Sequence, residues 1–263
     1  MDLHLAGKTA LLTASSSGIG LATAATLAAE GATVVLNGRD KDRLHEAQRQ
    51  LLDQVPEAAV RLVVADVGIP AGVQTVIDAE PRVDILINNV ALYHLADFAD
   101  LSDADWTAAW NVNVLSGIRL ARHYLPGMLE RNDGRIILLG TDAAVLVSSA
   151  MMHYEVTKAA TLALARGLAD LTRGTAVTVN SVLPGPTSTE GMNTVLDTIA
   201  AQAGATREDV AGGLFAGRPA SLLQRLATAQ EVANLITYLA SPRSAATNGA
   251  AVRVEGGTIP TVL

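Results

Sequence analysis

The sequence predicts an α/β domain in which a parallel sheet carries helices on both faces. Short runs rich in β-branched residues alternate with longer helical stretches along the 263 residues, and strands that alternate with helices usually pair in parallel. Right-handed crossovers then place helices on both faces of the sheet. No linker, charge block or repeat divides the chain, so we predict a single domain over residues 1–263.

Seven strands and six helices follow from this alternation. The predicted strands are Lys8–Thr13, Thr33–Leu36, Val60–Val64, Asp84–Ile87, Arg135–Leu139, Val177–Val182 and Ala251–Val254. The predicted helices are Gly18–Glu30, Asp40–Gln54, Ala71–Ala79, Asp105–Arg131, Met151–Arg173 and Gln230–Ala240. The stretch at about residues 187–228 is rich in glycine and follows the carboxyl end of a strand, where ligands bind in open α/β sheets. We expect it to be an irregular substrate lid; a disordered surface insertion is the alternative.

Composition excludes several classes of function. Hydrophobic residues make up 49% of the chain and aromatic residues only 3%, which suits a core of Ala, Val and Leu between helices and a parallel sheet. The net charge of -7 and the scattered basic residues argue against nucleic acid or an anionic membrane as a partner. Without cysteine there are no disulfides, and the dispersed histidines propose no metal site. With no signal-like start and no 18-residue apolar run, we expect a cytoplasmic protein.

A loop rich in serine and glycine follows the first strand. The sequence from Thr13 to Gly20 reads Thr-Ala-Ser-Ser-Ser-Gly-Ile-Gly and leads into a helix beginning near Gly18. Backbone N–H groups and the helix dipole at such a turn can face a pyrophosphate. A glycine-rich turn without a ligand is the alternative interpretation.

Tyr154 and Lys158 stand four apart in Tyr-Glu-Val-Thr-Lys, and residues at that spacing share one face of a helix. Lowering a tyrosine pKa from about 10 by about 3 units takes about 4 kcal/mol. One ammonium about 5 Å away supplies roughly 3 kcal/mol at an effective dielectric near 20, so Lys158 provides most of that shift and a cationic nicotinamide the rest. The same spacing also arises by chance on amphipathic helices. Beside a dinucleotide loop, however, it predicts an oxidoreductase.

Together these motifs resemble the short-chain dehydrogenase/reductase family over essentially the whole chain. The resemblance rests on the loop from Thr13 to Gly20, Asn-Asn-Val-Ala after the fourth strand, Tyr-x-x-x-Lys, Pro-Gly-Pro-Thr and the ending from Asn248 to Gly257, all in family order. It implies a Rossmann-like doubly wound sheet of order 3-2-1-4-5-6-7. It also implies hydride exchange with a nicotinamide, and a homotetramer or homodimer.

The resemblance assigns roles residue by residue. Tyr154 matches the proton donor, Lys158 the lysine that also holds the nicotinamide ribose, and Asn113 the asparagine of the proton relay, with Asn111 as its nearby rival. Asp66, with Val67 beside it, matches the adenine contact after the third strand. The remaining cofactor-binding positions are Ser15, Ser16, Ser17, Gly18, Ile19, Gly20, Asn89, Val90, Ala91, Pro184, Gly185, Thr187 and Thr189.

Three positions depart from the family pattern. Thr141 occupies the place of the usual serine, and its extra methyl restricts χ1, so its hydroxyl is either well aimed or crowds the substrate. Ala14 replaces the first glycine of the loop, which is costly if that position needs a positive φ. Val90 and Ala91 replace Ala-Gly and add bulk beside the cofactor, which we expect to be tolerated.

The end of the second strand bears on the choice of cofactor. An NAD enzyme of this kind usually has an acidic residue there, whereas this chain reads Leu36-Asn37-Gly38-Arg39. A guanidinium at Arg39 can hold a 2'-phosphate, so NADP(H) is the predicted cofactor and NAD(H) the alternative. Asp40 is the counter-evidence, since it can pair with Arg39 or cap the next helix.

These patterns predict an NADP(H)-dependent carbonyl reductase or secondary-alcohol dehydrogenase. Catalysis is assigned to Asn113, Thr141, Tyr154 and Lys158, with Thr141 hydrogen-bonding the carbonyl or alkoxide oxygen. The candidate pocket walls Tyr93, His94, Leu146, Met151 and Met192 are largely apolar, which favours a small hydrophobic ketone or alcohol. An NAD-linked dehydrogenase and a nucleotide-binding regulatory protein with weak turnover remain alternatives.

Overall fold

The computed structural model describes residues 1–216 and 221–262. The strands are β1 (Thr9–Leu12), β2 (Thr33–Gly38), β3 (Val60–Val64), β4 (Ile85–Asn88), β5 (Arg135–Leu139), β6 (Thr178–Pro184), β7 (Thr187–Ser188), β8 (Ala227–Thr228) and β9 (Ala251–Val254). The helices are α1 (Gly18–Ala29), α2 (Lys41–Gln54), α3 (Pro70–Ala79), α4 (Asp103–Trp110), α5 (Ser116–Glu130), α6 (Met152–Asp170), α7 (Glu190–Ala203), α8 (Arg207–Ala216) and α9 (Ala229–Ala240).

Seven strands form one parallel sheet in the order β3-β2-β1-β4-β5-β6-β9. Because β7 and β8 pair only with each other, β9 is the seventh strand of this sheet. The predicted Rossmann-like order is therefore confirmed. Its strand order reverses direction between β1 and β4, the place where doubly wound sheets bind ligands at the carboxyl ends of their strands.

The core divides into two clusters, one on each face of the sheet. Successive residues of β1 point to opposite faces, so Leu12 joins a cluster with α1, α2 and α9, and Leu11 joins another with α3, α5 and α6. Short side chains fill both clusters, as the low aromatic content predicted. Within residues 1–216 and 221–262, no helix combines the length and apolar character needed to cross a bilayer.

The predicted helix over Asp105–Arg131 is three consecutive helical pieces. A π turn at Asn111–Leu115 separates α4 from α5, and the N–H of Ser116 donates to the carbonyl of Asn111 five residues earlier. This break in the α-helical pattern falls beside Asn113, one of the predicted site residues.

The expectation that residues 187–228 lack regular structure is wrong. The segment begins with β7, continues through α7 and α8 and ends with β8, although residues 217–220 lie outside the described part. Thr189 caps α7 by accepting a hydrogen bond from the N–H of Met192 (3.1 Å), and Gly204 ends that helix with a φ of +63°. Its role as a lid remains a prediction.

Candidate active site

The turn between β1 and α1, residues 13–20, is here called the phosphate cradle. Its geometry is set by the backbone, with φ of +50° at Ala14 and +57° at Gly18. A Cβ added to Gly20 would lie 2.7 Å from both the Ala14 carbonyl oxygen and the Asn89 Nδ2. The positive φ considered for Ala14 is therefore present, and Gly20 has no room for a side chain.

The N-terminal end of α1 lies in this cradle. Ser17 occupies the cap position without a side-chain capping bond, and the first turn carries no acidic residue. Ser16 and Ile19 are partly exposed beside it. Unpaired N–H groups, a positive dipole end and a glycine-walled turn fit the pyrophosphate of a dinucleotide.

The Ser15 side chain, unlike those of Ser16 and Ser17, is buried and bonded within the sheet. Its buried hydroxyl donates to the Leu12 carbonyl (2.9 Å) and accepts from the N–H of Asn37 (3.0 Å). The side chain therefore ties β1 to β2, and the Ser15 N–H does the same by donating to the Asn37 carbonyl (2.9 Å).

The turn after β4 is tied to the cradle through Thr13 and Asn89. The Thr13 hydroxyl donates to Asn88 Oδ1 (3.2 Å) and accepts from the N–H groups of Asn89 (2.9 Å) and Val90 (3.1 Å). The Asn89 amide donates to the Ala14 carbonyl (2.9 Å). These side-chain bonds tie the neighbouring strands β1 and β4 together, and Ala91 is exposed at the end of the turn.

Tyr154 and Lys158 lie on the first turns of α6, at the carboxyl ends of β4 and β5. Lys158 is 2% exposed, and its Nζ donates to the carbonyls of Leu139 (2.7 Å) and Val90 (3.4 Å). That ammonium nitrogen lies 5.9 Å from the ring centroid of Tyr154. The i, i+4 pair therefore shares one face of a helix, as predicted.

The surroundings of Tyr154 and Lys158 shift the pKa of each group in the direction that favours its neutral form. Burial raises the pKa of Tyr154 above the usual value of a tyrosine, the hydrogen bond with Thr141 opposes the rise, and the charge of Asp142 adds to it. Burial lowers the pKa of Lys158 to about 8. The polypeptide's own groups thus raise the Tyr154 pKa, contrary to the lowering expected from Lys158.

Asn113 anchors the loop after β4 to α6. Its Oδ1 accepts from the N–H of Leu92 (2.6 Å), and its Nδ2 donates to the Leu92 carbonyl (3.0 Å) and the Thr157 hydroxyl (2.9 Å). Asn111 instead donates to the Thr107 carbonyl (3.0 Å) of its own helix. The geometry favours Asn113 over Asn111 as a site residue, with its side chain already committed to three bonds.

Thr141 follows β5 and is hydrogen-bonded to the next residue. Its hydroxyl donates to Asp142 Oδ1 (3.0 Å) and accepts from the N–H of Ala143 (3.3 Å). Thr141 and Asp142 are 9% and 3% exposed. We call Thr141, Asp142, Tyr154 and Lys158 the catalytic cluster.

At the adenine end, Arg39 follows β2 and is exposed. Asp40 caps α2 by accepting from the N–H groups of Asp42 (2.9 Å) and Arg43 (3.0 Å), which is one of the two roles considered for it. Within the described part of the chain, the Arg39 guanidinium forms no ion pair or side-chain hydrogen bond. Arg39 is thus able to meet a phosphate.

Two further groups of predicted cofactor contacts lie at the edges of the cleft. Asp66 is partly buried and its Oδ1 accepts from the N–H of Gly68 (2.8 Å), whereas the Val67 side chain packs in the core. In the turn after β6, Pro184 and Thr187 are buried, and the Thr187 hydroxyl donates to the Gly185 carbonyl (2.8 Å).

Thr189 brings α7 close to the cradle, since a Cβ on Gly18 would lie 3.2 Å from the Thr189 methyl carbon.

The sequence analysis missed two features of the site. Asp142 carried a signal, namely a single acidic residue in the apolar run from Leu138 to Ala144. The ion pair between Arg43 on α2 and Glu190 on α7 had none, because it joins residues far apart in the sequence.

Side chains near Tyr154 outline the substrate side of the cluster. The rings of Tyr93 and Tyr154 have centroids 5.4 Å apart, and a Cβ on Gly191 would lie 2.6 Å from the Tyr93 hydroxyl oxygen. His153 is buried, and its ring centroid lies 4.4 Å from that of His94, with the two rings tilted at 46° to each other. Among the described residues, no three His, Asp or Glu side chains gather to hold a metal ion.

Comparisons with known proteins agree with this geometry. The family model described as enoyl-(acyl carrier protein) reductase matches residues 13–258. The chain is 42% identical over 263 residues to the uncharacterized oxidoreductase YvaG of Bacillus subtilis (strain 168), covering 100% of both chains. It is 30% identical over 259 residues to the 3-oxoacyl-(acyl-carrier-protein) reductase FabG of Escherichia coli (strain K12), covering 97% and 98%.

Among solved structures, the L-sorbose reductase of Gluconobacter frateurii, complexed with NADPH and L-sorbose, matches with a TM-score of 0.93 and 33% identity over 100% of both chains. The resemblance noted in the motifs is therefore confirmed over the length of the chain. The protein is an oxidoreductase of the short-chain dehydrogenase/reductase family.

Proposed function

We propose that the protein is an NADP(H)-dependent carbonyl reductase or secondary-alcohol dehydrogenase acting on a small molecule. The observation that carries the proposal is the buried Lys158 ammonium, fixed by the Leu139 and Val90 carbonyls 5.9 Å from the Tyr154 ring. A lysine is rarely buried without a functional or pairing partner. Here it lies between a tyrosine and a dinucleotide cradle.

Each residue of the cluster has a role in moving a proton or holding the substrate. A bound nicotinamide supplies or accepts the hydride. Tyr154 gives a proton to the carbonyl oxygen in reduction and takes it back in oxidation, and Thr141 hydrogen-bonds the same oxygen. Lys158 favours the tyrosinate and holds the ribose, while Asn113 supports the relay to solvent. A cationic cofactor and Lys158 together would offset the burial that raises the Tyr154 pKa.

NADP(H) is proposed over NAD(H) because Arg39 is exposed and uncommitted at the end of β2 while Asp40 is occupied as a helix cap. A charge-assisted hydrogen bond contributes about 1.5–3 kcal/mol, which is roughly a 10- to 150-fold preference for NADPH. The NADPH bound by L-sorbose reductase is in line with this choice.

An apolar ketone or secondary alcohol is the first candidate substrate. Leu146 is 40% exposed and Leu95 43% exposed on two segments beside Tyr154, which are joined by a hydrogen bond from the Ala96 N–H to the Ala150 carbonyl (3.1 Å). A keto sugar is the second candidate, favoured by the similarity to L-sorbose reductase and by the phenol of Tyr93 near Gly191.

The proposal is tested with purified protein, NADPH or NADH, and a panel of apolar ketones, their alcohols and keto sugars including L-sorbose, followed by absorbance of the reduced cofactor. We expect turnover that is lost in Tyr154→Phe. Cofactor-induced thermal stabilisation without turnover of any panel member would instead favour a nucleotide-binding regulatory protein.

The cofactor assignment has its own test. NADPH affinity, measured by fluorescence titration, should fall roughly 10- to 150-fold in Arg39→Ala while NADH affinity stays unchanged. Arg43→Ala, which removes the ion pair with Glu190, is the matched control. Equal affinity of the parent for NADPH and NADH would overturn the assignment.

Three further proposals concern the domain organisation, the lid and the assembly of the protein. We propose that residues 1–263 act as one domain, that the segment from Thr187 to Thr228 serves as the substrate lid, and that the protein is a cytoplasmic homotetramer or homodimer. Light scattering coupled to size exclusion tests the assembly, and hydrogen exchange with and without NADPH tests the lid.

A further inference from the structure

Glu155 is a buried carboxylate on the first turn of α6, next to Tyr154 in the sequence. Among residues 1–216 and 221–262, no Lys, Arg or His forms an ion pair with it. The positive end of the helix dipole favours a negative charge at this place. Burying a carboxylate without a cation is costly unless hydrogen bonds satisfy it, so the groups that donate to Glu155 indicate what it does.

Both donors of Ser148 are directed at this carboxylate. The Ser148 N–H donates to Glu155 Oε2 and its hydroxyl to Oε1 (2.8 Å), and the hydroxyl also accepts from the N–H of Ala150 (3.4 Å). All residues from 145 to 150 are exposed and lie outside any helix or strand. Burial therefore does not hold the loop of residues 146–150 in place, and Glu155 anchors it to α6.

The anchored loop is joined to the other segment beside the catalytic cluster, residues 92–96. The N–H of Ala96 donates to the carbonyl of Ala150 (3.1 Å). The start of that segment is fixed by Asn113, which bonds both the N–H and the carbonyl of Leu92. Asn113 and Glu155 thus each fix one segment, and a backbone hydrogen bond connects the two.

The charge of Glu155 does not help Tyr154 to ionise. Burial is the largest cause of the raised pKa of Tyr154, and the negative charge of Glu155 adds to the rise. A neutral side chain at position 155 would disfavour the tyrosinate less. The loop that the carboxylate holds therefore explains this residue better than proton transfer does.

We propose that Glu155 is a positioning residue for the substrate, which holds the loop of residues 146–150 against α6 through Ser148 so that this wall of the substrate site is ordered before the substrate binds. The inference rests on the oxidoreductase function proposed above. Apparent affinity falls in proportion to the fraction of molecules whose loop is ordered. Releasing the loop should therefore raise KM, while kcat at saturation stays near that of the parent because the bound substrate has already ordered the loop.

The test compares variants of the two partners with the substrate found in the panel. Glu155→Gln keeps the shape but not the charge, and KM should rise roughly 10- to 150-fold, the range of one hydrogen bond to a charged group. NADPH affinity should stay near that of the parent. Ser148→Ala removes one of the two bonds and should also raise KM, whereas Ser148→Thr keeps both donors and should keep the parent KM. In the Glu155→Gln background, Ser148→Ala should add less than it does alone because the two residues share one interaction.

Hydrogen exchange of the free protein measures the order of the loop independently of turnover. Peptides that cover residues 146–150 and 92–96 should exchange faster in Glu155→Gln and in Ser148→Ala than in the parent, because the loop opens more often. Ser148→Thr should exchange like the parent. If Glu155→Gln does not fold, Ser148→Ala at its exposed position decides the test.

Glu80→Gln is the matched control. Glu80 is a buried carboxylate at the end of α3 that pairs with Arg61 (3.1 Å), so its loss should lower stability without changing KM or the exchange of the two peptides. An unchanged KM, or unchanged exchange, in the folded Glu155 and Ser148 variants would overturn the inference alone, and so would a loss of kcat and NADPH affinity as large as the rise in KM. A parent without turnover would overturn the proposed function and the inference with it.

Discussion

The phosphate cradle and the catalytic cluster lie at the same edge of the sheet but are held by different means. In the cradle, the backbone is fixed by left-handed residues and by a contact that admits only glycine at position 20. In the catalytic cluster, buried side chains are fixed by hydrogen bonds, and burial shifts the pKa values of Tyr154 and Lys158. Changes in the cradle should therefore act through shape, and changes in the cluster through protons and charge.

The largest effect is expected in the cluster. Tyr154→Phe removes the proposed proton donor and should lower kcat by about 10²- to 10⁴-fold, while NADPH affinity stays near that of the parent because the cradle is untouched. Steady-state kinetics and fluorescence titration measure the two quantities. Tyr93→Phe, at the neighbouring ring, is the control and should lower kcat far less. Turnover of Tyr154→Phe within a few-fold of the parent would show that another group is the acid.

Lys158→Met tests the electrostatic character of the cluster through stability. Burial lowers the pKa of Lys158 to about 8, so charging it in the fold costs about 3 kcal/mol below that pH. Between about pH 8 and the unfolded pKa of about 10.4, the unfolded chain binds more protons, so the stability of the parent rises with pH.

The methionine variant lacks this cost but leaves the Leu139 carbonyl without its donor, which costs about 1–3 kcal/mol. It should be inactive yet gain up to about 2 kcal/mol over the parent at pH 7, with the gain shrinking toward pH 10. Urea unfolding at several pH values measures this, and Lys8→Met, at a partly exposed lysine, is the control. A difference that does not vary with pH would contradict the electrostatic account.

Gly20→Ala tests the cradle by shape alone. The added methyl would lie 2.7 Å from the Ala14 carbonyl oxygen and the Asn89 amide nitrogen, and overpacking of this kind costs about 1–3 kcal/mol. NADPH affinity should fall as the cradle shifts, whereas kcat at saturating NADPH should change little. Gly212→Ala, where nothing lies within 4 Å of the added carbon, is the control. Unchanged NADPH affinity in Gly20→Ala would mean that the cofactor phosphates lie elsewhere.

The smallest effect is expected at Ala14. A left-handed alanine costs about 1–2 kcal/mol, and Ala14→Gly removes that cost while making the unfolded chain more flexible by about 0.4–1 kcal/mol. We expect a net gain of between zero and about 1.6 kcal/mol in the free energy of unfolding, with NADPH affinity equal or higher. A loss of stability would show that the alanine methyl contributes packing that outweighs the strain.

Features of the fold, the cradle and the cluster that depend on local sequence pattern could be predicted from the sequence. Alternating β-branched and amphipathic runs predicted the parallel sheet, and the i, i+4 spacing predicted that Tyr154 and Lys158 share a face. Even the positive φ at Ala14 was considered, because a glycine is usual there. These features are set by residues close together in the chain.

Features that depend on distant contacts were not predicted. The glycines between residues 187 and 228 concealed α7 and α8, since Gly191, Gly212 and Gly213 are accommodated within helices instead of interrupting them. Nor did the spacing of Tyr154 and Lys158 reveal that burial would shift their pKa values toward the neutral forms. Desolvation depends on everything packed around a group, which no local motif records.

The π turn at Asn111–Leu115 has a consequence for how this helical segment tolerates changes in length. A π turn contains one residue more than an α-helical turn. The side chains of α5 are therefore rotated about the helix axis, relative to those of α4, by about 100° from where an unbroken α-helix would place them. Deleting one residue within the turn would restore continuous α-helical counting but rotate Asn113 away from Leu92 and Thr157. The extra residue is thus a spacer that keeps two helical faces and one amide in register with the loop after β4.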